Sequence, residues 1–171
     1  MFWELSNKFY LKNLFNKGTN EDDYALVIGN SQNVVVDNSF IYARRHGICI
    51  GGGGSVCCVT NRNIKINNCT IKNDIKSGVP SADMHGNVEN VIYNGCTIYN
   101  GANLSGKNNA LINCIIYNML NGILVYYSEV IGGELKVANC ICNSWFHISF
   151  NFINKSCRYT RFWKGFLKTH L

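Results

Sequence analysis

Along most of the chain, apolar and polar residues alternate in short runs, and each run is closed by Asn or Gly and then a small residue. The segments FYLKNLFN, NVVVDNSFIY, NIKINNCTIK, NVIYNGCTIY, NNALINCIIY and ELKVANCICN align on this pattern. A period of two is that of a strand with one buried face, and Asn or Gly at its end supplies a turn. The shared small position falls at Leu14, Ser39, Cys69, Cys96, Cys114 and Cys140, at intervals of 25, 30, 27, 18 and 26 residues. Such intervals match one coil of a strand-built solenoid, with loop insertions on one side absorbing the variation. Most units carry a further short strand: ALVIG, GICIG, SADMH and GILVYY. The pattern predicts an all-β solenoid of about six coils, with two or three strands in each.

Composition narrows this further. A chain of 171 residues has room for one domain or one short solenoid. Charged residues make up only 15%, against 26 Asn, 16 Gly and a single Pro, which argues against a helical bundle; 47% hydrophobic residues exclude disorder. No run approaches the roughly 18 consecutive apolar residues of a membrane span, so no membrane insertion is expected. The segment MFWELSNKFYLKNLFNK lacks the apolar stretch of a signal peptide. A net charge of +6 suits an acidic partner but does not demand nucleic acid, and an anionic polysaccharide fits equally well.

Over roughly residues 9 to 143 the repeats resemble the right-handed parallel β-helix of the pectate-lyase-like superfamily, which includes polysaccharide lyases, some hydrolases, epimerases and phage tailspikes. In that fold, equivalent positions of successive coils stack at about 4.8 Å. Asn13, Asn38, Asn68, Asn113 and Asn139 would then form an Asn ladder at a turn, with Gly95 taking the remaining rung. Ile41, Ile71, Ile98 and Ile116 would form an inward aliphatic stack. Cys69, Cys96, Cys114 and Cys140 share a ladder position, so they read as small buried hydrophobes rather than a disulfide framework, which suits cytoplasmic synthesis. Cys57-Cys58 and Cys140-x-Cys142 lack the paired spacing of a zinc site, and Gly51 to Gly54 lack the Lys-Ser or Lys-Thr of a phosphate loop. Neither metal nor cofactor is expected.

The repeat is assigned to residues 1–144 and a non-repeat tail to 145–171. Within the tail, Tyr159, Phe162, Trp163, Phe166 and Leu167 recur at helical spacing, which predicts a helix capping the last coil. A basic membrane-surface helix and an out-of-frame tail are the competing readings.

Because the core of a solenoid is filled, a ligand site must lie on an outer face, where neighbouring coils bring polar residues together. The candidates precede or occupy the second strands: Asp22-Asp23, Arg44-Arg45-His46, Asp83-x-His85, and Ser105 with Lys107. Asp83 and His85, two apart in a strand, point to one side while Ala82 and Met84 point inward. ARRHGICIGG followed by SADMHGNVENVIYNGCTIYNG is similar to a pairing found in tailspike and appendage β-helices. That resemblance nominates Arg45, His46, Asp83 and His85 as catalytic. Asp23, Arg44, Ser105 and Lys107 are substrate-binding candidates, with Ser105 standing where a basic residue is expected.

Eliminative cleavage of a uronate polymer needs a base, here His85 or His46, and a cation to stabilise the enolate-like charge, here Arg45. Hydrolysis needs two carboxyls, for which Asp83 and Asp23 are available. The bland alternative has His85 bonding a turn and Asp83 capping a backbone NH. Trp3, Tyr99, Tyr117, Tyr126 and Tyr127 are candidates for an outward aromatic stack. The resemblance implies a tailspike-type depolymerase of an acidic cell-surface polysaccharide, lyase rather than hydrolase. It also implies a homotrimer, at the virion tail or a cell surface. The alternative is a non-catalytic glycan-binding or structural β-helix segment of a longer depolymerase.

Overall fold

The computed structural model describes residues 2–4, 9–17, 24–51, 61–74, 79–85, 87–117, 124–125, 135–142 and 161–162. The chain visits three sheets in a fixed order. The A sheet takes Phe2–Glu4, Tyr24–Gly29, His46–Ile50 and Ala82–Met84, and Asn103–Leu104 with Leu124–Val125 continue it through an Ala82–Ala102 bridge. The B sheet takes Phe9–Lys12, Val34–Asp37, Asn61–Asn67, Val88–Asn94, Asn109–Ile112, Leu135–Ala138 and Arg161–Phe162. The C sheet takes Phe15–Lys17, Phe40–Ala43, Thr70–Asn73, Thr97–Tyr99, Ile115–Tyr117 and Ile141–Cys142. Every described pairing is parallel. This is the all-β parallel solenoid that the repeat predicts, and each ALVIG-type strand proves to be the third side of a coil.

Successive coils fill the interior with like residues. Ile41, Ile71, Ile98 and Ile116 pair in register on the C sheet and are fully buried, as are Ile48 with Ala82 and Ile50 with Met84 on the A sheet. Each buried Ile is worth about 1.5–3 kcal/mol relative to exposure, so the column itself supplies cohesion between coils. The Cys column follows the same logic. Cys69, Cys96 and Cys114 are buried free thiols, and each Sγ lies 3.3–3.7 Å from a carbonyl of the preceding coil.

The corner between the B and C sheets is built from left-handed residues. Asn13, Asn38, Asn68, Gly95, Asn113 and Asn139 have φ of 54, 48, 52, 66, 53 and 52°. The Asn38 and Asn68 backbone NH groups donate to Asn67 O and Asn94 O of the next coil at 3.0 and 2.9 Å. Along the amide ladder, Asn139 Nδ2 donates to Asn113 Oδ1 at 3.3 Å. A second Asn column, absent from the sequence expectation, opens the B strands: Asn33, Asn63, Asn90 and Asn108, with φ of 56, 56, 56 and 55°.

Two expectations need correction. Arg161–Phe162 forms a strand paired with Leu135–Ala138, where the tail's periodicity predicts helix, because edge pairing on an existing sheet satisfies the backbone there. The rest of 145–171 lies outside the described residues, and among those described there is no helix, hence none long and apolar enough to cross a membrane. The five aromatics do not form one stack. Tyr99 and Tyr117 stack at 5.2 Å on the C sheet, whereas Trp3 pairs with Ile28 on the A sheet; Tyr126 and Tyr127 lie outside the described residues.

Candidate functional site

The A sheet brings three of the four nominated catalytic residues together. Cys49 and Asp83 are register partners on adjacent coils, and His85 follows two residues later on the same face. His85 Nε2 lies 3.2 Å from Asp83 Oδ2, and His46 Nε2 lies 3.9 Å from the same oxygen. On the next coil, Asn103 Nδ2 donates to Asp83 Oδ1 at 2.8 Å and to Met84 O at 3.1 Å. Asp83, His46 and Cys49 are buried, and His85 keeps 39% of its side chain exposed. His85 is therefore the way in from solvent.

Gly51 makes this packing possible. Its φ is +83°, and a Cβ there would fall 2.2 Å from Asn87 Oδ1 and 3.2 Å from His85 Cβ, so only Gly fits beside His85. The insertion that follows, Gly52 to Thr60, lies outside the described residues.

The two imidazoles differ in charge. His46 Nδ1 sits 2.7 Å from the Pro80 carbonyl, which can only accept, so Nδ1 carries the proton and Nε2 keeps its lone pair when the ring is neutral. Burial lowers the His46 pKa, outweighing the pull of Asp83 and Pro80, and the Arg45 and His85 charges lower it further. In contrast, its hydrogen bond to Asp83, helped by Cys49 and opposed by burial, lifts His85 to about 10. Burial alone would push the Asp83 carboxyl up, but the bonds from His85 and Asn103 and the two histidine charges hold it below its ordinary value. At neutral pH the site is a carboxylate and an imidazolium beside a neutral imidazole.

Arg45 reaches this group through an aromatic ring. Tyr24, on the preceding coil, stacks on His46 at 5.3 Å, and the Arg45 guanidinium lies 5.7 Å from the Tyr24 ring centre. The substrate-binding candidates behave differently. Arg44 is exposed, with its carbonyl accepting from the Asp74 NH at 3.3 Å. Ser105 is fully buried, and its carbonyl accepts from Asn109 Nδ2, so it offers no groove surface; the expectation of a ligand contact there is corrected by its inward packing. Lys107 pairs with Glu89 at 3.4 Å beside the B sheet, away from the A-sheet group. Asp23 lies outside the described residues.

Cys49, Asn103 and Tyr24 were not singled out from sequence. Register alone would have found the first two, since Cys49 and Asn103 occupy the coils on either side of Asp83. Cys49, Asp83 and His85 place ligand atoms within 4.8 Å of one another and are the described side chains that could hold a metal ion.

A parallel solenoid whose coils stack three sheets is a β-helix. The chain is a member of the Gp49 pectin lyase-like family, whose model matches residues 8–151. Among solved structures it is similar to the tailspike protein gp49 from Pseudomonas phage LKA1, with 38% identity over 79% of this chain and a TM-score of 0.71. It is similar as well to the tailspike gp61 of Pseudomonas phage phi297, with 29% identity over 82% and a TM-score of 0.72. The gp54 tailspike of Acinetobacter baumannii bacteriophage AP22, solved with an A. baumannii capsular saccharide, matches at 30% identity over 79% with a TM-score of 0.65. The chain spans 23%, 26% and 24% of those three tailspikes. No curated protein matches it.

Proposed function

We propose that the chain is a tailspike-type module that binds and cleaves an acidic cell-surface polysaccharide by β-elimination at the Asp83 group. The observation that carries this reading is geometric: His85 Nε2 and His46 Nε2 converge on Asp83 Oδ2 at 3.2 and 3.9 Å, while His46 Nδ1 is bonded to the Pro80 carbonyl at 2.7 Å. His46 is the base that takes the proton beside the uronate carboxylate; the electrons of that C–H bond form the new carbon–carbon double bond as the neighbouring glycosidic C–O bond breaks, and the departing oxygen takes a proton from water. His85 and Arg45 are the cations that stabilise the enolate-like charge, and Asp83 keeps His85 protonated. Of the two histidines that sequence leaves open as base, the Nε2 lone pair favours His46, and His85 is the more exposed of the two.

The likeness to a tailspike solved with a capsular saccharide supports the substrate class. The three tailspike neighbours support a virion-tail location, and a homotrimer is proposed with it. Phe15, Phe40 and Ile141, exposed at 76, 36 and 61% along one C-sheet column, are the surface that side-by-side packing would cover.

A second reading follows from the burial of Asp83 and His46: a structural ion pair in a module that binds glycan without cleaving it. One experiment separates the two. Digestion of acidic polysaccharide is followed by the ultraviolet absorbance of the unsaturated product. Elimination requires that His46→Gln and His85→Ala each abolish the product while leaving binding largely intact, and that Arg45→Ala weaken both. Hydrolysis would give cleavage with no unsaturated end, lost in Asp83→Asn. No cleavage of any acidic polysaccharide leaves the binding role.

A further inference from the structure

A groove of about 600 Å³ crosses the outer face of the B sheet, on a different side of the coil from Asp83. Two tracks line it, both parallel to the solenoid axis. One is the second Asn column, Asn33, Asn63 and Asn90; the other is Tyr10, Val35, Lys65 and Ile92, which are register partners on four successive coils. At about 4.8 Å per coil the second track runs about 14 Å.

The amide track is held rigidly and left half used. Asn63 Nδ2 donates to Asn33 Oδ1 at 3.1 Å, and Asn90 Nδ2 donates to Asn63 Oδ1 at 3.2 Å. An amide has two donor hydrogens and two acceptor lone pairs, so Asn63 retains one of each for a ligand. Their left-handed backbone fixes the Cβ directions, so these groups recur once per coil at no cost in ordering. The other track supplies apolar surface from Tyr10, Val35 and Ile92 around one ammonium group. Nearby, Glu89 occupies both Arg62, at 3.5 Å, and Lys107, at 3.4 Å. Among the described residues no carboxylate pairs with Lys65.

We propose that this B-sheet groove is a binding subsite for an extended strand of acidic polysaccharide lying along the solenoid axis. Hydroxyls would meet the Asn33–Asn63–Asn90 amides, ring faces would meet Tyr10, Val35 and Ile92, and a carboxylate would meet Lys65. Its chemistry fits a polymer of acidic sugars, which presents an apolar ring face, a rim of hydroxyls that both donate and accept, and an intermittent negative charge. A single unpaired cation is poorly matched to the dense phosphates of a nucleic acid. The substrate class rests on the function proposed above, but the groove lies on another sheet and needs no catalytic residue.

The test is titration of the full chain with polygalacturonate, polymannuronate and hyaluronan, with dextran as the neutral control. At least one acidic polymer is expected to bind in preference to dextran. Lys65→Ala and Asn63→Gly, the latter keeping the left-handed backbone, should each weaken it by about tenfold. Absence of cleavage by the parent chain, with its acidic-polymer binding still weakened by Lys65→Ala and Asn63→Gly, would sink the proposed reaction and spare the subsite. Equal affinity in the Lys65 and Asn63 variants, or no acidic polymer bound, overturns the subsite. A Lys65→Glu variant whose sedimentation changes while its polymer binding does not would assign the face to a second copy of the chain and overturn it also.

Discussion

His85 Nε2 sits 3.2 Å from Asp83 Oδ2, and this contact makes the fold's stability depend on pH in a defined direction. His85 is raised from 6.5 to about 10, so its contribution is complete below about 6.5 and disappears as pH climbs through about 10. Asp83, lowered from 3.8, reports the same pair from the acid side: the contribution is complete above 3.8 and is lost as the carboxylate protonates below it. His46 adds an opposing slope, since its lowered pKa favours the folded state above 6.5 and is lost as pH falls. Denaturant titrations should show His85→Gln less stable than the parent near about pH 6, with the gap closing above about pH 10. With 39% of the side chain exposed, screening limits that gap to about 1 kcal/mol.

Tyr93 is fully buried, and among the described residues its hydroxyl has no hydrogen-bond partner. Burial also drives its pKa well above 10. Tyr93→Phe removes the unsatisfied group without emptying the site, so it should stabilise the fold by about 1 kcal/mol in chemical denaturation. A loss of stability would mean that the hydroxyl has a partner after all.

At the B–C corner, Asn68 has φ of 52° and its column neighbour Gly95 has 66°. Asn68→Gly should therefore change the thermal midpoint little, while Asn68→Ala should cost about 1–2 kcal/mol for the left-handed Cβ. Equal effects would contradict a conformational role for the column.

Five cysteines, Cys49, Cys69, Cys96, Cys114 and Cys140, are free thiols. Thiol titration of denatured protein without reductant should detect at least these five. Ser39 already occupies their column, donating from Oγ to Asp37 O at 2.8 Å and accepting from the Leu14 NH at 3.1 Å. Cys69→Ser should accordingly cost no more than about 1 kcal/mol.

The solenoid was legible because its signal repeats: Asn38, Asn68, Gly95 and Asn113 each precede a small residue at coil-length intervals, and stacking turns that repetition into a column. Asp83 beside His85 was legible from strand alternation alone. The rest depended on register between coils of unequal length. Ser105 lies within the short 18-residue interval between Cys96 and Cys114, where the chain turns it inward instead of outward. Asn33, Asn63 and Asn90 head the very segments that define the repeat, yet a turn residue in sequence carries no sign that its spare amide valences line a groove.

The amide columns also set how the protein ages. Hydrolysis of a ladder Asn to Asp would preserve the left-handed turn, so the fold would survive the first event. A second event on the adjoining coil would place two carboxylates about 4.8 Å apart, a repulsion of about 1 kcal/mol in water that a single conversion does not incur. Damage along Asn33–Asn63–Asn90 or Asn113–Asn139 is therefore cooperative in its consequence: a lone conversion removes one amide donor, and neighbouring ones turn a self-complementary column into a self-repelling one.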